Sequence, residues 1–125
     1  MKLNFSKSSV AIFGDIMLDT YYIGKVSRIS PEAPVPVVNV KSTKHVLGGA
    51  ANVANNIKHL KANPILIGSI GKDPNGKLIT QMLQKEGIET LLLETELPTI
   101  NKIRIIGEHQ QIVRMDFEEN SEEAT

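Results

Sequence analysis

The chain has 125 residues, contains no Cys, and balances 14 Lys and Arg against 14 Asp and Glu. This length fits a single domain, the zero net charge favours neither nucleic acid nor an anionic membrane as a partner, and the lack of Cys excludes disulfides, zinc–thiolate sites and thiol nucleophiles. No apolar run is long enough for a signal peptide or a membrane span, so we expect a cytoplasmic protein without a membrane partner.

The first predicted element is a short apolar strand, residues 10–13, which Gly14 and Asp15 close. A continuous apolar run of this length is typical of a strand buried on both faces. Ligands of open parallel sheets bind beyond the carboxyl ends of the strands. Asp15 is therefore a candidate to accept hydrogen bonds from a ligand. The alternative is an aspartate that only caps the turn after Gly14.

A proline-rich segment, residues 33–40, follows before any helix. Each proline lacks a donor for the hydrogen-bond ladder of a sheet, which excludes a central strand and predicts an edge or protruding one. Its expected partner is the segment 21–23, and Asp19 is interpreted as the start of this region.

Two glycines, Gly48 and Gly49, stand where a loop is predicted to become a helix of about residues 49–61. Adjacent glycines let a ligand approach the main-chain N–H groups that are unpaired at a helix start. Asn52 falls in the first turn and is expected to face inward, where its amide can both donate to and accept from hydroxyl groups. A tight packing turn explains the glycines equally well. Helical spacing predicts a buried face of Ala50, Val53, Ala54, Ile57 and Leu60.

The next elements repeat the pattern of strand, helix and strand. Residues 64–71 and 88–93 predict strands, and Asp73 followed by Pro74 predicts a helix start, with Gly87 at its end. The apolar face of this helix is formed by Leu78, Met82 and Leu83. The alternation predicts an α/β fold, a parallel sheet with flanking helices and right-handed crossovers.

The last segments predict a hairpin, because residues 101–106 alternate, 107–110 turn and 112–117 return. With the proline-rich region they predict a small antiparallel β lid made of about residues 20–42 and 100–117. Such a sheet would cover a ligand site and form a dimer surface. Arg114 and Asp116 are interpreted as members of cross-strand pairs.

Three segments carry a resemblance to a known family: residues 14–19 (GDIMLD), 27–37 (SRISPEAPVPV) and 48–54 (GGAANVA). Together they resemble the PfkB/ribokinase family of sugar kinases. The second segment and residues 101–116 are similar to the heptose 7-phosphate kinase branch, which also forms the N-terminal domain of bifunctional ADP-heptose synthases. The resemblance implies a ribokinase-like fold. It also implies ATP- and Mg²⁺-dependent phosphorylation of D-glycero-β-D-manno-heptose 7-phosphate at the anomeric oxygen, a step toward the lipopolysaccharide core.

The resemblance implies a sugar cradle made of Asp15, Gly48, Gly49 and Asn52. Lys102 and Arg104 lie two positions apart on a strand, so both side chains project from one face and are expected to clamp the phosphate of the sugar. A solvated sheet face is the alternative for these two cations. Arg28 and Glu32 are expected lid contacts, or they serve the structure of the loop instead.

The family's catalytic aspartate and anion hole come from a Gly-Ala-Gly-Asp segment, which these 125 residues do not contain. They also contain no Walker-type or Rossmann glycine motif. Residues 120–123 are typical of a helix start. We therefore expect residues 1–125 to form the N-terminal part of a sugar kinase domain, a homodimer through the lid, with no catalytic, cofactor or metal site and no activity alone. The alternatives are a non-catalytic sugar-binding or dimerisation module and a kinase for another sugar.

Overall fold

The computed structural model describes residues 6–29 and 34–118, and the side chains of residues 27–29 are not part of that description. Glu32 and the predicted helix start at residues 120–123 lie outside the described residues. The elements in chain order are β1 (Ser9–Phe13), β2 (Ile16–Ile29), β3 (Pro36–Gly49), α1 (Ala50–His59), β4 (Asn63–Gly71), α2 (Pro74–Lys85), β5 (Glu89–Thr95), β6 (Ile100–Gly107) and β7 (Gln110–Phe117).

The first sheet has three strands in the order β1–β4–β5, and both pairings are parallel. This confirms the predicted parallel sheet with flanking helices. Both helices contribute to one apolar core with the strands, in which Leu66 and Ile79 are fully buried. Burial of apolar side chains of this size contributes about 1.5–3 kcal/mol each. The core therefore lies between one face of this sheet and the two helices.

The prediction that β1 is buried on both faces is wrong, because Ile12 is its only buried residue. The helices cover one face of the sheet, and the other face exposes Phe13 by 73%, Leu91 by 65% and Leu93 by 69%. The apolar run of β1 correctly predicted a strand of a parallel sheet. It could not show how many layers cover that strand.

Helix α1 begins and ends close to the predicted bounds, but the face that it buries is rotated about the helix axis relative to the predicted one. Ala50, Ala51 and Ala54 are buried, whereas Val53 and Leu60 are 47% and 62% exposed. Asn52, which was expected to face inward, is exposed. The three alanines let the helix backbone lie close to the strands, and this contact decides which stripe is buried.

Helix α2 confirms the predicted start, because Asp73 caps it and Pro74 is its first residue. Asp73 Oδ1 accepts hydrogen bonds from Gly76 N at 2.8 Å and from Thr99 Oγ1 at 2.6 Å, and Oδ2 accepts from Thr99 N at 2.8 Å. Burial alone raises the pKa of Asp73, but the hydrogen bonds from Thr99 and Gly76 outweigh it and lower the pKa below its ordinary value. The Asp73 carboxylate thus ties the loop before β6 to the start of α2.

The second sheet has four strands in the order β3–β2–β6–β7. The two outer pairings are antiparallel, as predicted, and the central pairing of β2 with β6 is parallel. Strand β3 is an edge strand, which agrees with its prolines. However, residues 21–23 are not the partner of the proline-rich part, as was predicted. They pair with residues 42–44, and the proline-rich part pairs with residues 24–29. Two long strands replace the short excursion that was expected.

Candidate functional site

The loop between β1 and β2 brings Asp15 against the start of α1. The main-chain oxygen of Asp15 accepts a hydrogen bond from Ala50 N at 2.8 Å. Gly49 adopts a φ of +59°, and a Cβ atom there would lie 2.3 Å from the same oxygen. Only glycine fits both the left-handed backbone and the close approach. Asp15 and the diglycine, which the sequence placed 33 positions apart, are therefore adjacent.

A cavity of about 300 Å³ opens beside Asp15. It lies at the carboxyl ends of β4 and β5, and its polar lining includes Ser69, Thr95 and Thr99. This is the edge at which open parallel sheets bind ligands. The Asp15 side chain is exposed, so its carboxylate is accessible to a ligand.

Asp19, which was interpreted from the sequence as the start of the lid, also belongs to this candidate site. A Cβ atom on Gly48 would lie 2.6 Å from Asp19 Oδ2 and 2.8 Å from the side chain of Met17. Residues 17, 19 and 21 alternate along β2 and share one face of the second sheet. This alternation could have predicted from the sequence that the strand extends back to Asp19.

Arg104 lies on the same face and pairs with Asp19. Its Nη1 atom donates to Asp19 Oδ1 at 3.0 Å, and the side chains of Arg104 and Asp19 are only 23% and 19% exposed. The guanidinium carbon lies 5.4 Å from the centroid of the Tyr21 ring, within the range of a cation–π contact. The hydrogen bond to Asp19 raises the pKa of Arg104 above its ordinary value, so this side chain stays charged.

Lys102 is the register partner of Asp19 on one side and of Asp116 on the other. Within the part of the chain that the structure describes, Lys102 makes no ion pair. Arg114 and Asp116, interpreted above as members of cross-strand pairs, instead pair with each other along β7 at 2.9 Å. The structure therefore places Gly48 and Gly49 beside Asp19 and Asp15, and Lys102 and Arg104 beside Asp19 within the second sheet.

The remaining predicted ligand contacts are those of Asn52, Arg28 and Glu32. Asn52 lies in the first turn of α1, three positions after Gly49, with its side chain exposed. Arg28 is paired through its backbone with Val37, and its side chain is not described. Glu32 lies outside the described residues. The structure therefore leaves these two lid contacts as predictions.

A polar chain on the opposite face of the second sheet joins its strands behind the charged residues. Thr20, 1% exposed, donates from Oγ1 to Asn101 Oδ1 at 2.9 Å and lies 3.2 Å from His45 Nδ1. A buried hydroxyl with such partners holds β2 against β6 and β3. No local pattern in the sequence predicts this contact, because it joins residues 81 positions apart.

Among residues 6–29 and 34–118, no group of three or more His, Asp and Glu side chains could hold a metal ion. Neither helix of that part is long and apolar enough to cross a membrane.

A family model described as pfkB family carbohydrate kinase matches residues 7–125. The chain belongs to this family. The pfkB resemblance of the three sequence motifs is therefore confirmed.

Two curated relatives are similar to this pfkB chain over nearly its whole length. A protein named D-beta-D-heptose 7-phosphate kinase, from Bordetella bronchiseptica, is 49% identical over 120 residues, which are 95% of this chain and 38% of that relative. Bifunctional protein HldE of Haemophilus influenzae is 48% identical over 118 residues, which are 93% of this chain and 25% of that relative. The chain therefore spans well under half the length of these curated relatives.

Solved structures show the same pfkB fold. A carbohydrate kinase from Agrobacterium tumefaciens superposes with a TM-score of 0.73 at 17% identity, covering 88% of this chain and 35% of that one. Fructokinase with bound ATP from Xylella fastidiosa gives a TM-score of 0.66 at 18% identity, with coverage of 88% and 33%. At such low identity the likeness concerns the fold, and it confirms the ribokinase-like α/β architecture.

Proposed function

We propose that this chain is the sugar-phosphate-binding part of an ATP-dependent D-glycero-β-D-manno-heptose 7-phosphate 1-kinase. The whole kinase would serve the synthesis of ADP-heptose for the lipopolysaccharide core. The observation that carries the proposal is the junction at which Asp15 and Asp19 meet the diglycine, with Arg104 bound to Asp19. The identity of 49% to a protein named as a heptose 7-phosphate kinase supports the choice of sugar.

The carboxylates of Asp15 and Asp19 are proposed to accept hydrogen bonds from sugar hydroxyls. Hydrogen bonds to charged groups contribute about 1.5–3 kcal/mol each. Gly48 and Gly49 keep the backbone free of side chains where the sugar approaches, and Asn52 offers an amide in the first turn of α1. These groups provide both acceptors and a donor, as a polyhydroxylated ligand requires.

The phosphate of the sugar is proposed to bind at the basic face of β6 that Lys102 and Arg104 share. Both residues are partly buried, so their charges are screened by water less than those of fully exposed side chains. A lysine ammonium and an arginine guanidinium are the usual partners of phosphate oxygens. This face is what would distinguish a sugar phosphate from an unphosphorylated sugar.

The second sheet is proposed to be the lid and the dimer surface, with residues 20–42 and 100–117 as its main part and Arg28 and Glu32 as contacts near the ligand. Strand β7 at its edge exposes Val113 by 43%, Met115 by 39% and Phe117 by 55%. An edge strand with several exposed apolar side chains favours association with another copy. A homodimer through this sheet is therefore part of the proposal.

Phosphoryl transfer needs a bound nucleotide and a group that activates the sugar hydroxyl. Membership of a carbohydrate kinase family implies the use of ATP. The described residues do not fit a Mg²⁺ site, since they contain no suitable acidic cluster. We assign the catalytic base and the nucleotide site to the rest of the kinase and propose that residues 1–125 alone bind sugar phosphate without turning it over.

Isothermal titration calorimetry of the 125-residue chain tests this function. Heptose 7-phosphate is expected to bind more tightly than ribose, because only the former has a phosphate. Equal affinity for the two ligands would refute the phosphate site, and absence of binding to both would refute the sugar-binding function. A coupled ADP assay with ATP and heptose 7-phosphate is expected to detect no turnover by this chain, and measurable turnover would contradict its assignment as a binding part.

A further inference from the structure

The charged face of the second sheet contains two arginines directly opposite each other, Arg104 on β6 and Arg114 on β7. Like charges in directly opposed positions repel each other. Each arginine turns to a carboxylate instead, Arg104 to Asp19 at 3.0 Å and Arg114 to Asp116 at 2.9 Å. The charge of Arg104 is therefore already balanced before any ligand binds.

The pair of Arg104 with Asp19 is also held in one orientation. Its side chains are mostly buried, whereas those of Arg114 and Asp116 are 48% and 26% exposed. The ring of Tyr21 lies 5.4 Å from the Arg104 guanidinium carbon, and stacking on an aromatic ring restricts the plane of a guanidinium. A phosphate that drew Arg104 away from Asp19 would leave a partly buried carboxylate unpaired, which is unfavourable.

Asp19 is oriented by this contact. Its Oδ1 atom is the acceptor for Arg104, whereas Oδ2 is the atom that a Cβ on Gly48 would approach to 2.6 Å. One carboxylate oxygen is thus fixed by the guanidinium, and the other is directed at the diglycine. That second oxygen therefore lies on the side of Asp19 where the sugar is proposed above to bind.

Lys102 differs from both arginines. Its cross-strand neighbours are Asp19 and Asp116, and both of these carboxylates are engaged by arginines. Within residues 6–29 and 34–118, Lys102 has no ion pair of its own. Lys44, opposite Tyr21 on β3, is a second lysine of this face without an ion pair there, but it is exposed.

We propose that the two cations of β6 have different roles. Arg104 is a positioning residue that holds Asp19 toward the sugar hydroxyls, and Lys102 is the phosphate ligand. This inference rests on the proposed function and narrows its phosphate site from both cations to Lys102. Arg104 then contributes to the affinity for any sugar that contacts Asp19, with or without phosphate. Lys102 contributes only when the sugar has a phosphate.

Calorimetric titration of the 125-residue chain with D-glycero-D-manno-heptose and with its 7-phosphate separates the two roles. Arg104→Gln is expected to weaken both ligands by the same factor, about tenfold for one charge-assisted hydrogen bond. Lys102→Gln is expected to weaken the 7-phosphate by about tenfold and to leave the affinity for heptose unchanged. Lys44→Gln, which removes a charge from the same face, and Arg114→Gln are the matched controls and are expected to change neither affinity.

A double-mutant cycle distinguishes positioning from a general effect on the fold. If Arg104 acts through Asp19, then Arg104→Gln has no further effect on heptose affinity once Asp19→Asn is present. Arg104→Lys keeps the charge but loses the planar fork, so it is expected to weaken both ligands while keeping their affinity ratio. Circular dichroism and urea midpoints, measured for every variant, test whether each one remains folded.

Two results would overturn the inference. If Arg104→Gln and Arg104→Lys weaken only the 7-phosphate, Arg104 is a phosphate ligand, and the proposed function still stands. If the effects of Arg104→Gln and Asp19→Asn on heptose affinity are additive, Arg104 does not act through Asp19. Failure of the unaltered chain to bind either ligand would instead refute the proposed function, and this inference with it.

Discussion

The hydrogen bonds of Asp73 provide the most direct test of how this fold supports its candidate site. Asp73→Ala removes the cap of α2, which costs about 1 kcal/mol. It also leaves the main-chain N–H of Thr99 without its acceptor, in a residue that is 4% exposed. A buried donor without a partner costs about 1–3 kcal/mol. We therefore expect the free energy of unfolding to fall by about 2–4 kcal/mol.

Urea unfolding followed by circular dichroism measures this loss. Glu96→Ala is the matched control, because Glu96 lies near Thr99 in the same loop, is paired only with Lys72 among the residues that the structure describes, and has a side chain that is 87% exposed. It is expected to change stability by less than about 1 kcal/mol, as is usual for exposed ion pairs. A loss for Asp73→Ala no larger than that of Glu96→Ala would refute the reasoning. Thr99 lines the cavity beside Asp15. A confirmed loss of stability would therefore show that the Asp73 carboxylate helps to hold one wall of that cavity in place.

Three further predictions follow from the same structure. Because its hydrogen bonds lower the pKa of Asp73, the stability that this carboxylate confers is present above its unfolded pKa of about 3.9 and is lost as the pH falls through its folded pKa. Asp73→Asn should flatten that acid decline in urea unfolding measured at successive pH values, and parallel profiles would contradict this. Gly49→Ala should cost at least about 1–2 kcal/mol for its left-handed backbone and abolish sugar binding in calorimetry. Gly87→Ala, where a Cβ would meet nothing closer than 3.8 Å, should lose stability but bind normally. Leu66→Ala, at a fully buried position, should cost about 2–5 kcal/mol in urea unfolding, and Val53→Ala, at a largely exposed one, much less.

Elements with local signals were predictable from the sequence. The aspartate and proline at the start of α2 and the glycine beyond its end determine backbone geometry within a few residues, and each lies where it was predicted. The parallel sheet was predictable because strands and helices alternate along the chain. The proximity of Asp15 to the diglycine also followed, since Asp15 lies just beyond the carboxyl end of β1 and the diglycine at the start of the helix that covers the same sheet.

Properties that depend on distant partners were not predictable. The buried stripe of α1 depends on how closely its alanines approach the sheet, so hydrophobicity alone wrongly assigned Val53 and Leu60 to it. The partner of Arg104 is Asp19, 85 positions earlier, and only the parallel pairing of β2 with β6 makes that contact. The same pairing was missed because the hairpin at the end of the chain indicated antiparallel strands throughout.

Strand β2 belongs to both parts of this molecule: Ile16 and Leu18 are buried in the core, and Asp19 follows immediately on the charged face. A strand turns successive side chains to opposite faces, so a slip of one residue reverses every side chain beyond it. Insertion of a single codon between Leu18 and Asp19 would therefore turn the carboxylate to the face opposite Arg104, whereas insertion of two codons would keep it on the same face. Selection on the length of this short stretch should be as strict as selection on the identity of its residues.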